Sequence, residues 1–80
     1  MTIQEWRKHE EYKEGFKKIE GYHKGFEWTM EWYKIPEGKA NALRILLGDC
    51  KKAGLIKSTS IGYGFVNDKF CETEETFKRI

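Results

Sequence analysis

The chain has 80 residues, 39% of them hydrophobic and 35% charged, and carries a net charge of +2. A chain of this length makes one domain (residues 1–80) that buries only roughly 60–65% of its unfolded surface, and two cysteines, Cys50 and Cys71, are not a secreted disulfide framework. Basic and acidic residues number six and five over 1–24, three and three over 25–48, and six and five over 49–80; this even spread excludes both a polybasic arm for non-specific duplex binding and an acidic tail that mimics nucleic acid.

Thr2-Ile3-Gln4-Glu5 reads as a capping box that opens a helix. His9, Tyr12, Phe16, Ile19 and His23 follow at helical spacing, with Trp6 at the edge of their face. Gly15 lies inside this pattern, so either one helix runs to about Glu20 or it breaks at Gly15; Gly21 is its natural stop. After a turn at 22–25, Phe26-Glu27-Trp28-Thr29-Met30-Glu31-Trp32 alternates apolar and polar residues and predicts a half-buried strand, which Tyr33-Lys34-Ile35 extends if Pro36 alone ends it. Ala40, Leu43, Leu46, Leu47, Cys50 and Ala53 form the apolar stripe of a helix from about Glu37 to Ala53, closed by Gly54-Leu55. Residues 55–66 are β-rich, with Thr59, Ile61, Tyr63 and Phe65 on one face and Ser58, Ser60, Gly62 and Gly64 on the other. Asn67-Asp68 reads as a two-residue hairpin turn leading to a return strand from Lys69. Thr73-Glu74-Glu75-Thr76 either continues that strand or caps a short final helix carrying Phe77 and Ile80. The predicted architecture is α+β: N-terminal helix, aromatic strand, central helix and C-terminal β-hairpin, with the helices packed on a small antiparallel sheet.

Catalytic and metal chemistry finds little support in the residue types. His9, His23, Cys50 and Cys71 are the only soft ligands, and none is paired at the spacing of a structural zinc site. Cys50 falls mid-helix on an apolar face, far from the cationic niche or helix N-terminus that activates a thiol. Glu10-Glu11, Glu27, Glu31 and Glu74-Glu75 lie among lysines on expected solvent faces, where no burial raises a carboxyl pKa for acid catalysis. No Gly-x-Gly-x-x-Gly or Walker loop is present, and Gly62-Tyr63-Gly64 is too short to be one. The expectation is no enzyme, no cofactor and no metal. With no apolar run near 18 residues and no signal-type h-region, the expected location is cytoplasmic, with no membrane partner. Free thiols are then the simplest state, one Cys50–Cys71 bridge being the alternative.

Two features point instead to binding. Asn41, Arg44, Lys51 and Lys52 share a helical angle with Gly48, which permits close approach, and Lys57 follows just past the cap. This modest basic stripe suits a phosphate-bearing ligand, nucleic acid or an acidic protein surface. Twelve aromatics, 15% of the chain, exceed what a minimal core needs, and large aromatics are enriched at binding hot spots. Tyr33 breaks the strand alternation beside Lys34, and both face a partner if the strand is an edge; Tyr63 joins them from the small-residue strand. A possible homodimer would self-pair the helix stripe and the spare aromatics.

Residues 42–66, and Lys51-Lys52-Ala53-Gly54-Leu55-Ile56 above all, resemble the third helix and wing of a winged-helix domain. That resemblance implies a DNA-binding transcriptional regulator, although the family's preceding helix would fall at 25–35, where this sequence predicts a strand. In style the whole chain resembles the compact, Lys/Glu-rich and aromatic-rich proteins of phages and mobile elements, many of which inhibit host defence or host enzymes. The resulting expectation is a small non-catalytic inhibitor of phage type. It would occupy a host protein, or sequester a phosphate-bearing ligand, within nucleic-acid or nucleotide-based machinery.

Overall fold

The computed structural model describes residues 2–80. In chain order it has helices α1 (Ile3–Lys8) and α2 (Glu10–Glu20), strand β1 (Glu27–Glu31), a 3-10 turn (Trp32–Lys34), helix α3 (Glu37–Lys52), and strands β2 (Ile56–Val66) and β3 (Lys69–Arg79). The antiparallel sheet has the order β1-β3-β2. Helices cover one sheet face, so the molecule is only 17 Å through its shortest axis, the depth of two layers. No described helix is long and apolar enough to cross a membrane.

The N-terminal helix breaks at His9, not at Gly15. His9 is extended (ψ 145°) and caps both neighbours: its amide donates to the Trp6 carbonyl, and its Nδ1 accepts from the Glu11 amide at 3.2 Å. The break lets α1 turn onto α3. There Trp6 Nε1 donates to the Ala42 carbonyl at 2.9 Å, and the Arg7 guanidinium grips both carboxylate oxygens of Asp49 at 2.9 and 3.0 Å. Gly15 stays helical because α2 needs it against α3; a Cβ there would lie 2.7 Å from Leu46 Cδ2.

Tyr33-Lys34-Ile35 do not extend β1, contrary to their strand-like sequence. The chain curls into the 3-10 turn, burying Trp32 beneath α3 and leaving Tyr33 exposed. Pro36 then leads into α3. That helix ends as its sequence predicts, except that Ala53 is an exposed cap rather than part of the buried stripe. Gly54 adopts φ +76°, its amide bonds to the Lys51 carbonyl, and the Leu55 amide bonds to that of Cys50, a Schellman closure.

Asn67 and Asp68, at φ 53° and 64°, form the tight turn in which both central residues are left-handed. Beyond it β3 is strand to its end, which decides between the two alternatives for 73–80. Two bulges re-aim the hairpin. Thr59 is an extra residue on β2, between the pairs Ser58–Phe77 and Ser60–Thr76, and Thr73 is extra on β3. Ser58 therefore shares the core face with Phe77, while Ser60, Gly62 and Gly64 face the opposite way, contrary to a plain alternation. Ile61, opposite Glu75, turns to the helix side, and Tyr63 and Phe65 follow it.

The core joins Ile19, Trp32, Ala40, Leu46, Leu47, Cys50, Ile56 and Phe77. Arg79 stitches its corner: the guanidinium donates to the carbonyls of Ile19, Glu20, Leu55 and Ile80.

Two outcomes follow from these contacts. Gly15→Ala adds helix propensity of up to ~1 kcal/mol but overpacks Leu46 at ~1–3 kcal/mol, so thermal denaturation should show a net loss; Gly48→Ala, where a Cβ meets nothing within 4 Å, should raise Tm. Asp49 is the second case. Hydrogen bonds from Arg7 hold its carboxyl below the usual carboxylate range, against partial burial, and Tyr12, which also donates to it, is pushed up to about 12 by burial and by Asp49. A lowered folded pKa means stability that is present above the unfolded value, about 3.9, and lost as pH falls through the folded one. Asp49→Asn should therefore be less stable than wild type at neutral pH by about 1 kcal/mol, discounted for the half-exposed Arg7. In pH-dependent melts the gap should close below about pH 4.

Candidate functional site

Two adjoining clefts run between α3, the 3-10 turn and the hairpin, and they share Trp32, Arg44 and Glu72 as walls. One, of about 400 Å³, reaches Tyr33, Asn41, Lys69 and Cys71. The other, of about 260 Å³, reaches Gly48, Lys51, Ile61 and Glu75. α3 supplies Asn41, Arg44, Gly48 and Lys51 because they fall on its exposed flank when Ala40, Leu46, Leu47 and Cys50 turn inward.

The floor is Trp32. Its indole Nε1 donates to Glu75 Oε1 at 3.2 Å, and Lys51 Nζ approaches Glu75 Oε2 at 3.5 Å. Glu75 is the one buried charged residue among those described; the strand alternation brings it inward, and an indole donor and an ammonium compensate its desolvation. Lys51 also sits 5.3 Å from the Phe77 ring centroid. Arg44 differs from Lys51. Its guanidinium lies over the Trp32 ring at 4.8 Å, and it belongs to none of the three ion pairs among the described residues, which are Arg7–Asp49, Lys34–Glu31 and Lys51–Glu75.

The remaining residues of the expected surface scatter. Tyr33 lines the larger cleft, but its hydroxyl donates to Glu31 at 3.0 Å, and Lys34 pairs with the same carboxylate at 2.9 Å. Those two contacts lower the pKa of Glu31, Lys34 foremost. Lys52 is exposed in the last turn of α3, where its charge acts on Asp49. Lys57 pairs with Lys78 on the sheet face away from the helices, apart from Arg44 and Lys51. Tyr63 stands on the hairpin, stacked on Phe70 with centroids 5.8 Å apart. The basic stripe is thus a mixed surface, its cations Arg44, Lys51 and Lys69 facing Glu37, Glu72 and Glu75.

Sequence reasoning missed Trp32 as floor and Glu72 and Glu75 as walls. The strand alternation did place Trp32 inward; nothing local placed the two glutamates beside α3.

Both cysteines are free, Cys50 buried and Cys71 half-buried. Burial, with Asp49 nearby, pushes the Cys50 thiol up to about 11. Among the described residues, no group of three or more His, Cys, Asp or Glu side chains is gathered to hold a metal ion. No protein-family model, curated protein or solved structure matches the chain.

Glu75→Ala should cost about 2 kcal/mol, because it strands the buried indole N–H of Trp32. Glu75→Gln, whose amide oxygen still accepts from Trp32, should cost less. Urea denaturation followed by Trp fluorescence separates the two, and equal losses would remove the hydrogen-bond explanation.

Proposed function

We propose that the protein works by binding, without catalysis, and grips an acidic segment of a protein partner through Arg44 and the clefts on either side of it. One observation carries this reading: the Arg44 guanidinium lies over the Trp32 ring, 4.8 Å from its centroid, yet pairs with no carboxylate among the described residues. A stacked guanidinium offers a planar fork to an incoming carboxylate. The surrounding cleft has an aromatic floor and balanced charge, which suits a peptide segment better than a bare phosphate. Gly48, with open space above it, lets such a segment approach the helix closely.

Within this proposal, covering a partner's surface inhibits the partner, and the resemblance in style to small phage inhibitors supports that reading. Two free thiols support a reducing compartment such as the cytoplasm.

The test is a titration of isotope-labelled protein with a peptide rich in Asp and Glu. The amides of Asn41, Arg44, Gly48 and Lys51 should shift, and Arg44→Ala should weaken binding about tenfold, equivalent to ~1.4 kcal/mol. Arg44→Lys should recover only part of the loss. Shifts confined to other surfaces would overturn the assignment.

The winged-helix reading is second. It is favoured by the direct passage of α3 through Gly54 into a long hairpin, and weakened by strand β1 and the 3-10 turn, which stand at 27–34 where the preceding helix belongs. It requires salt-dependent binding to duplex DNA that Arg44→Ala and Lys51→Ala together weaken. No retention of any duplex at low salt would sink it.

A further inference from the structure

The two edges of the sheet are unlike. β1 is five residues long, carries Glu27 and Glu31, and runs straight into a 3-10 turn tied back to Glu31 by Tyr33 and Lys34. Short length and charge are how a protein keeps an open strand from pairing with another chain. β2, the opposite edge, is eleven residues long, and Ser58 through Val66 carry no charge. Its outer backbone groups have no strand beside them.

We propose that β2 is the seam of a homodimer, two copies pairing edge to edge and antiparallel about a two-fold axis through Tyr63. The stretch Ile61-Gly62-Tyr63-Gly64-Phe65 is apolar, glycine, apolar, glycine, apolar, and so has the same character in both directions. About that axis Ile61 meets Phe65 of the second copy, Tyr63 meets its counterpart, and Gly62 meets Gly64. No like charges oppose one another, and Ile61, Tyr63 and Phe65 each gain an apolar cross-strand neighbour. An isologous interface needs a patch complementary to itself, and this pattern supplies one. A foreign strand would satisfy the backbone equally but gives no reason for the palindrome.

The side chains point the same way. Ile61, Tyr63, Phe65 and Phe70 are 42%, 59%, 76% and 65% exposed. Phe70 holds the two neighbouring rings at 5.8 and 5.4 Å, so the patch is ordered before any partner arrives. Three rings of roughly 200 Å² each leave about 400 Å² open. That is half of the ~800 Å² per partner in a standard interface, and the strand edge with Ile61 and Val66 adds to it. On the reverse face Thr73 covers both glycines, its methyl only 3.2 Å from where a Gly64 Cβ would sit. The small residues are therefore occupied within the chain, which leaves the ring face and the edge for the second copy. The seam adjoins the clefts at Arg44 through Ile61 and Val66, but Arg44→Ala should leave the assembly unchanged.

Sedimentation across the micromolar range tests it. The wild-type chain should sediment at twice its 9.5 kDa, and Tyr63→Lys and Phe65→Lys, both at exposed positions, should sediment as one chain while circular dichroism shows them folded. Ile3→Lys, at an exposed apolar position off the hairpin, should stay dimeric. Tyr63→Cys in a Cys71→Ser background should cross-link two copies on oxidation, since directly opposed Cα atoms lie about 4.5–5.5 Å apart in an antiparallel pair, within disulfide reach. A monomer at every concentration, a dimer indifferent to both lysines, or a dimer that Tyr63→Cys fails to cross-link would overturn the proposal.

Discussion

Arg79 is where the fold closes. Its guanidinium takes the last carbonyls of α2, at Ile19 and Glu20, together with the Leu55 carbonyl that follows α3. A cation at a helix C-terminus satisfies carbonyls that have no intrahelical partner and complements the helix dipole. The same residue works through its backbone: its amide bonds to Phe26, its carbonyl accepts from Gly25, and it pairs with Ile56. The end of α2, the approach to β1 and the start of β2 are thus all referred to one residue next to the chain's last. Each of these bonds spans a large sequence separation, so their loop-closure entropy must be offset by the core they complete. Phe77, two residues earlier and almost fully buried, anchors that core against Trp28, with ring centroids 5.6 Å apart.

From that corner the sheet determines what α3 can present. β3 is central, so its alternation sets which side chains rise toward the helices. Glu75 rises with Phe77, and Glu72 follows once the Thr73 bulge has shifted the phase. A second bulge at Thr59 shifts β2 in step. Without it Ile61, Tyr63 and Phe65 would lie on the outer face with Lys57 and Lys78. With it they share a side with α3 and extend beyond it as an exposed aromatic stripe. Two single-residue insertions therefore create both the acidic wall of the cleft and the apolar edge.

Local signals made most of the elements legible. The Thr2 cap, whose hydroxyl accepts from the Glu5 amide without the reciprocal bond to the Glu5 carboxylate, the aromatic alternation of 26–32, the stripe of α3 short of Ala53 with its glycine closure, and the Asn-Asp turn each depend on neighbours a few residues apart, and each stands in the structure. What misled were positions where a distant contact overrides a local pattern. His9 breaks a good helical period because Trp6 and Arg7 reach Ala42 and Asp49. Gly15 looks like a breaker and is instead a point of helix contact. Tyr33-Lys34-Ile35 have strand-like character, but burying Trp32 under α3 requires the chain to curl. Residues 73–80 were undecidable from sequence, since Thr-Glu-Glu-Thr caps a helix or continues a strand equally well until β1 and β2 lie beside it. The candidate surface was legible in the same degree. Asn41, Arg44 and Lys51 come together because one helix carries them, whereas Lys57 belongs to another face because a strand intervenes.

Aromatic support and the lack of a carboxylate together set Arg44 apart from the other cations of this surface; Lys69 also joins no ion pair among the described residues. Lys51 lies against a buried carboxylate that would be costly to leave alone, so its ammonium is committed to the fold. Lys34 is spent on Glu31 in the turn. Arg7 holds Asp49 and thereby α1. The Arg44 guanidinium instead lies over the Trp32 ring, 4.8 Å from its centroid, and joins no ion pair among the described residues. In the proposed function this unpaired guanidinium is the group that meets a carboxylate of the partner. The same Trp32 that donates to Glu75 beneath lies under Arg44 above, so one buried indole both closes the core and carries the unpaired guanidinium of the cleft.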